Sequence, residues 1–323
     1  MKAVRIHETG GPESLRVDEV DTPEPQAGET LVRVRAAALN HRDVFITQGL
    51  YQNIKLPRIL GADGSGEADG KAVVIDPAIG WGDDDRVWCS DATILGMPRD
   101  GTFAQYVAVP SPNVYPKPQH LSLEEAAALP LAGVTAFRAT FARGQLQEGE
   151  TILITGIGGG VQTFVLLFAK ACGARVIATS GSDEKLEHAK ALGADFTVNY
   201  KTDADWHKTA RKLAGHIDIV VDSAGGDSFA KAITVVRPGG RVVTYGGTTG
   251  EATIKMFPIF WNQIDIRGSS MGCPKDFEAM LHFVNKHRIK PVVDRVYDLN
   301  EVVSAAKRMD EAQQFGKIVL RVP

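Results

Sequence analysis

A glycine cluster, Gly156-Ile157-Gly158-Gly159-Gly160, separates a β-branched run over 151–155 from apolar residues at helical spacing, Val161, Phe164, Val165 and Phe168. Strand, glycine turn and helix, in that order, is the setting in which a pyrophosphate binds. The glycines permit the tight turn and the close approach of backbone to phosphate, and the helix N-terminus offers free N–H groups at the positive end of its dipole. The third glycine of such turns is absent, its place taken by Gln162. Spacing alone therefore leaves a dinucleotide turn and an ordinary strand-to-helix turn both open. About 20 residues further on, an NAD site carries an Asp or Glu for the ribose hydroxyls. Here Ser180 stands in that place, within Thr179-Ser180-Gly181-Ser182-Asp183-Glu184-Lys185. An acid would repel a 2′-phosphate, whereas a serine donates to one and Lys185 can pair with it. That favours NADPH over NADH, with Lys185 as an ordinary solvated helix lysine the competing reading. Asp183 and Glu184 suit the first turn of the next helix, where the dipole favours negative charge.

Two polar loops stand apart from this turn. Asn40-His41-Arg42-Asp43 follows a cleanly alternating strand over 30–36, and Asp43 can open a short helix there. In the second loop, Gly61, Gly64 and Gly66 surround Asp63. For each polar residue in these loops the alternative to a chemical role is a turn or a cap. Asp83-Asp84-Asp85 lacks the alternating ligands and closing glutamate of a calcium loop and reads as a solvated turn, with Trp81 and Trp88 as lid or packing residues.

The elements that must position these residues fall into two kinds. From 1 to about 121 the chain reads as short strands punctuated by Gly and Pro, a barrel-like arrangement with long loops. Ser122 with Glu125 forms a capping box for a helix that Pro130 interrupts. From 151 strands alternate with helices: strands over 175–179, 196–198, 217–221, 241–245 and 265–267, with helices over 184–192, 204–214 and 228–236 between them. Such alternation gives a parallel doubly wound sheet, whose right-handed crossovers bring the loops after the strands to one edge. That edge collects the turn at 156–160, the segment 179–185, Gly225-Gly226 and Gly246-Gly247. Three glycine-rich loops at one sheet edge decide for dinucleotide binding over a plain turn.

A chain of 323 residues is long for a single core and suggests two domains. With 44% hydrophobic and 23% charged residues it falls among ordinary globular proteins, and a net charge of −3 without a basic stripe speaks against nucleic acid. Three widely spaced cysteines, Cys89, Cys172 and Cys273, suit neither a disulfide framework nor a zinc knuckle and fit a reducing cytoplasm. The opening Met1-Lys2-Ala3-Val4-Arg5-Ile6 is too polar for a signal peptide, and Lys170 cuts the apolar run after the glycine turn well short of a membrane span.

At MKAVRI with GGPESL, AALNHRD, LGADGSGE, GTFAQYV, GGGV, ALGAD, VRPGGR and FGKIVL the whole chain resembles the medium-chain dehydrogenase/reductases, in their zinc-independent, quinone oxidoreductase-like branch. The resemblance implies an α/β fold: a GroES-like, mostly-β catalytic domain over 1–122, a Rossmann domain over 123–272, and a return to the catalytic domain over 273–323. It also implies that Asn40, Asp43 and Tyr51 surround the substrate and nicotinamide. Asn40 would hold an oxygen or a bridging water, Asp43 would orient its neighbours, and Tyr51 would donate a proton or wall the site. Thr135 would face the nicotinamide ribose, Tyr200 the adenosine phosphate, and Gly268-Ser269 the carboxamide end. The zinc enzymes of this superfamily have a cysteine and a histidine where Asn40 and Ala62 stand, and their structural-zinc lobe is replaced by the segment 81–88, so neither zinc is expected. Where the family's quinone reductases carry a second tyrosine and an arginine, this chain has Phe45 and Thr47.

The expected activity is hydride transfer from NADPH to a quinone or an α,β-unsaturated carbonyl. The alternatives are a metal-free alcohol dehydrogenase or aldehyde reductase acting on a small alcohol or aldehyde, and a crystallin-like nucleotide-binding protein without turnover. By resemblance, a homodimer is expected, formed through the edge strand near 265–268. Gln162 is read as a change in how the helix packs on the strand, since the third glycine mainly serves that contact.

Overall fold

The computed structural model describes residues 1–323, which divide into two compact units, residues 1–134 with 272–323 and residues 135–271. The sequence reading put the first boundary at 122/123. The helix Leu123–Ala127 belongs instead with the first unit, because Ala127 and Ala128 pack with Ala36, Ala38 and Val319 in one apolar cluster. Ser122 and Glu125 cap that helix reciprocally, as their spacing indicates. Pro130 starts the next helix, Pro130–Phe137, at a first-turn position where its missing N–H costs nothing.

The first unit is built on a seven-stranded sheet. Its order is Val114–Pro116, Lys71–Ile75, Asp63–Ala68, Glu29–Ala38, Lys317–Arg321, Val293–Asp298, with Tyr106–Pro110 also paired to Glu29–Ala38. The ten-residue Glu29–Ala38 strand is the hub, and its alternation buries Val32 and Val34 while Arg33 faces out. One end of that strand sets the register that matters. Ala38 lies opposite Asp63 on one neighbour and opposite Val319 on the other. Continuing the antiparallel register two residues past Ala38 brings Asn40 opposite Lys317, and Leu39 N still bonds Ile318 O at 3.0 Å. Three stretches far apart in sequence thus deliver Asn40, Asp63 and Lys317 to one point. The core beneath includes Ile6, Leu60, Ile75, Phe103 and Leu320. The helix Val302–Asp310 closes it with Val302, Ala305, Ala306 and Met309 on one face.

The second unit is a six-stranded, all-parallel sheet in the order Phe196–Asn199, Arg175–Ser180, Thr151–Ile154, Ile219–Asp222, Arg241–Thr244, Asp265–Gly268. In chain order this is 3-2-1-4-5-6, so the direction of winding reverses beside the first strand. All four residues of Thr151–Ile154 are buried, as a strand covered on both faces requires. The helix Gly160–Ala171 packs through Phe164, Val165 and Phe168. Among the elements that went unread in the sequence, the helix Met256–Asn262 has no buried residue and leaves Met256, Phe257, Phe260 and Trp261 exposed, Phe257 stacking on Trp261 at 5.5 Å. Within the helix, Ile259 packs against the core of the unit, too sparse a pattern for periodicity to announce it. No helix is long and apolar enough to cross a membrane.

Candidate active site

Parallel strands place every strand-to-helix loop of the second unit at one edge of the sheet. There Gly156 adopts φ +69° and Gly158 φ +139°, conformations that side chains other than glycine rarely take. Gly159, by contrast, caps the helix Gly160–Ala171 with φ −78°, and Gly160 and Val161 form its first turn with N–H groups directed outward. The demand for glycine therefore falls on 156 and 158 more than on 159. Gln162 does not merely fill the place of a packing glycine: its buried side chain runs sideways, Nε2 donating to Ser223 Oγ at 2.5 Å. It ties the first turn of this helix to the loop after Ile219–Asp222.

Ser180 ends its strand nearly buried, its Oγ accepting from Ser182 N at 3.3 Å. Two lysines converge on this strand end. A Cβ on Gly158 would lie 2.8 Å from Lys185 Cδ and 3.3 Å from its Nζ, so Lys185 lies across the glycine turn. A Cβ on Gly181 would lie 2.8 Å from Lys201 Cε and 3.0 Å from Tyr200 Cε2, so Tyr200 and Lys201 fold over Gly181. Asn199 fixes them, its Oδ1 accepting from Lys201 N at 2.9 Å and its Nδ2 donating to Asp183 at 2.7 Å. Sequence reasoning missed Lys201. Its signal appears only once the strands are paired, because Ser180 and Asn199 are register partners.

Of the remaining predicted cofactor residues, Gly225, Gly246, Gly247, Gly268 and Ser269 lie along the same edge, while Thr135 sits in the helix Pro130–Phe137. Gly225 takes φ +73°, and a Cβ there would come within 3.0 Å of Gly250 O. One on Gly246 would come within 2.8 Å of Ser223 O, so both glycines let neighbouring loops touch through their backbones. Gly247 and Gly268 face open space, and Gly268 O accepts from Arg143 Nε at 2.9 Å. Thr135 Oγ1 and Ser269 Oγ are buried without a hydrogen-bond partner. Orphaned hydroxyls of this kind call for an explanation such as an absent ligand. The glycine cradle, the free helix N-terminus, the two lysines and these hydroxyls together fit a nicotinamide dinucleotide.

In the first unit, Lys317 Nζ donates to Leu39 O at 2.7 Å, Asn40 Oδ1 at 2.7 Å and Asp63 Oδ2 at 2.8 Å. Asn40 Nδ2 donates to the same Asp63 oxygen at 2.9 Å, and the other, Oδ1, accepts from Leu131 N at 2.7 Å. Asp63 is fully enclosed, Lys317 is 2% exposed and Asn40 7%. Every donor and acceptor of a buried ion pair must be satisfied in this way if the pair is to survive desolvation. Lys317 was not singled out from sequence, and Asp63 was noted among its glycines with no role assigned. A lysine opening an apolar strand and an acid among glycines were the available signs.

Asp43 Oδ2 accepts from Asn40 N at 2.9 Å at the start of the helix His41–Thr47, while its Oδ1 has no hydrogen-bond partner. Burial pushes the Asp43 carboxyl up to about 6, against the pull of the neighbouring Arg42. Arg42 donates to Leu95 O at 2.9 Å and holds its guanidinium 5.0 Å above the Tyr51 ring, Nε lying 3.5 Å from the hydroxyl. Tyr51 is thereby linked to Asp43 through Arg42.

A zinc ion does not suit these residues. Asn40 and Asp63 already hold an ammonium, Ala62 carries no donor atom, and no three His, Cys, Asp or Glu side chains stand together as a ligand set. The exposed triplet is as the sequence suggested: Asp84 bonds Arg86 and Asp85 pairs with Lys275, while Trp81 packs 5.8 Å from Trp88.

An alcohol dehydrogenase GroES-like domain model matches residues 26–119, and a zinc-binding dehydrogenase model matches residues 160–286. The chain is 37% identical to a zinc-type alcohol dehydrogenase-like protein, YogA, of Leptosphaeria maculans, over 95% of its own length and 94% of that protein's. It is 28% identical to an acryloyl-coenzyme A reductase of Metallosphaera sedula, over 99% of both chains. A crystal structure of an NAD-dependent alcohol dehydrogenase superposes with a TM-score of 0.93, at 40% identity and with complete coverage of both chains. The chain belongs to the medium-chain dehydrogenase/reductase family and is a nicotinamide-dependent oxidoreductase of GroES-like and Rossmann architecture.

Proposed function

We propose that this protein is a zinc-free reductase that transfers hydride from NADPH to the β-carbon of an α,β-unsaturated carbonyl or to a quinone. The observation that carries the reading is the Asn40–Asp63–Lys317 network: at the point where a zinc enzyme would polarise oxygen with a metal, this chain offers an amide donor backed by a buried ammonium. The reduced nicotinamide supplies the hydride. As hydride reaches the β-carbon, the C=C electron pair moves toward the α-carbon and the carbonyl oxygen, where Asn40 Nδ2–H meets the developing charge. Conjugated acceptors need only such modest stabilisation, because their charge is spread over several atoms. A proton then reaches the α-carbon from Tyr51 or from water, leaving a saturated carbonyl compound. Asp43 holds the Asn40 backbone and is a positioning residue in this scheme.

NADPH is preferred in this reading because Ser180, Lys185 and Lys201 gather at the strand end where an NAD site carries an acid, and Asp183 is occupied by Asn199. A second reading, metal-free oxidation of a small alcohol or reduction of an aldehyde, is favoured by relatives named alcohol dehydrogenase. The acryloyl-coenzyme A reductase among the relatives favours the first, and adds enoyl thioesters to the acceptors worth testing. The test is NADPH oxidation with a quinone, an enone, an enoyl thioester and a saturated aldehyde. Turnover on the conjugated acceptors supports the first reading, turnover on the aldehyde alone the second, and tight coenzyme binding without turnover a nucleotide-binding role.

The same reading makes the protein a homodimer. The strand Asp265–Gly268 is last in its sheet and has one unpaired edge, and the helix Met256–Asn262 just before it exposes four large apolar side chains. The three cysteines are unpaired, which suits a reducing compartment such as the cytoplasm.

A further inference from the structure

We infer that Lys317 is a positioning residue whose buried ammonium fixes the Asn40 side chain with its amide N–H toward the substrate oxygen and polarises that donor. The inference rests on the role of Asn40 proposed above. The orientation follows from the partners. Asn40 Oδ1 lies 2.7 Å from Lys317 Nζ, which can only donate, and Asn40 Nδ2 lies 2.9 Å from Asp63 Oδ2, which as a carboxylate can only accept. Flipping the amide would set its NH₂ against an ammonium and its oxygen against a carboxylate, exchanging two charge-assisted bonds for two repulsive contacts. One Nδ2 hydrogen is taken by Asp63, which leaves the second for a ligand. Asn40 is also the member of the trio that retains some exposure.

Lys317 has no hydrogen left to offer. Its three donors go to Leu39 O, Asn40 Oδ1 and Asp63 Oδ2. It can act on a substrate only through the amide. An amide whose oxygen accepts from a cation is a stronger N–H donor, and in a desolvated site this chain of two bonds couples charge developing on the substrate oxygen to a fixed positive charge. The register of three strands holds that charge in place, so nothing need reorganise during the reaction. Asp63, itself anchored by Leu131 N, balances the ammonium in the resting protein.

A purely structural ion pair joining three strands would show the same contacts, and a double-mutant cycle separates the two. N40A, K317M and the double variant are compared for kcat and KM on the best conjugated acceptor, with folding checked by circular dichroism and melting. Loss of one preorganised donor lowers kcat by about a hundredfold, and N40A is expected to do so. K317M is expected to lower kcat by at least about tenfold with little change in KM, and to have less than about a twofold effect when Asn40 is already absent, because residues acting as a unit are not additive. K317R, which retains the charge, is expected to recover part of the K317M loss. If K317M does not fold because Asp63 is left unpaired, the neutral pair D63N/K317M is cycled against N40A with the same expected outcome. Full additivity, with Lys317 costing as much in the N40A background as in the wild type, overturns the inference while leaving Asn40 as a donor. An N40A variant with unchanged kcat overturns the proposed role of Asn40 itself.

Discussion

Replacing Lys201 by Met should separate the two coenzymes. The aliphatic chain of Lys201 packs over Gly181, and methionine preserves that packing while removing the charge. No carboxylate pairs with Lys201; Asp183, at the start of the preceding helix, accepts from Asn199 at 2.7 Å. Two unit charges about 4 Å apart at an exposed site interact by about 1 kcal/mol, and a phosphate monoester carries about 1.5 to 2 charges at neutral pH. Removing the ammonium should therefore cost about 1.5–2 kcal/mol of NADPH binding, a rise in Kd of about ten- to thirtyfold. NADH, which lacks the 2′-phosphate, should bind with a Kd changed by less than about twofold. Nicotinamide fluorescence titrations with both coenzymes measure this directly. Raising the salt should shrink the effect, since the Debye length falls to about 3 Å at 1 M. If K201M weakens NADH and NADPH equally, the lysine serves only to pack the loop. A wild type that binds NADH more tightly than NADPH refutes the charge argument at its root.

Gly158→Ala, at φ +139° with Lys185 2.8 Å from the new methyl, should weaken both coenzymes by about tenfold, a backbone penalty of about 1–3 kcal/mol being typical of such positions. Gly159→Ala, at φ −78° with only the end of the Gln162 side chain in the way of the new methyl, should cost less than Gly158→Ala in the same titration. Asp76 is buried with one hydrogen bond, from Ala78 N at 3.0 Å, and burial raises its carboxyl from 3.8 to about 7. Between those values the native protein holds a proton that the unfolded chain has lost, so this group removes stability as pH rises, by about 4 kcal/mol in full above pH 7. Asp76→Asn should raise the melting temperature at pH 8 and change it little at pH 4; an equal loss at both would contradict this. Trp261→Asp, at a side chain 66% exposed, should turn a dimer into monomers in light scattering without shifting the far-ultraviolet circular dichroism spectrum.

The nucleotide unit was legible because its signals are local and repeat. Its central strands are short buried runs, several of its helices carry a cap or a closing glycine, and three glycine loops fall at one end of the sheet. What escaped was non-local. Lys201 gains meaning only when Phe196–Asn199 is paired beside Arg175–Ser180, and Lys317 only when the closing strand is laid against Glu29–Ala38 at Val319 and Ala38. Asn40 and Asp43 were found through a resemblance, since one polar loop residue looks like any cap. Gln162 read as a defect in a pattern, and no spacing rule foretold its reach to Ser223. The helix Met256–Asn262 was passed over because its exposed apolar residues, with Ile259 alone turned to the core, make no periodic signature.

The central claim is metal-free delivery of hydride to a conjugated carbon, and an enal tests it because one molecule offers both possible acceptors. With NADPH carrying deuterium at the transferred position of the nicotinamide, the product's label reports where hydride arrived. Deuterium at the β-carbon of a saturated aldehyde, formed by protein without stoichiometric zinc, is the result expected. Deuterium on the carbinol carbon of an allylic alcohol, or activity that tracks bound zinc, would contradict the account.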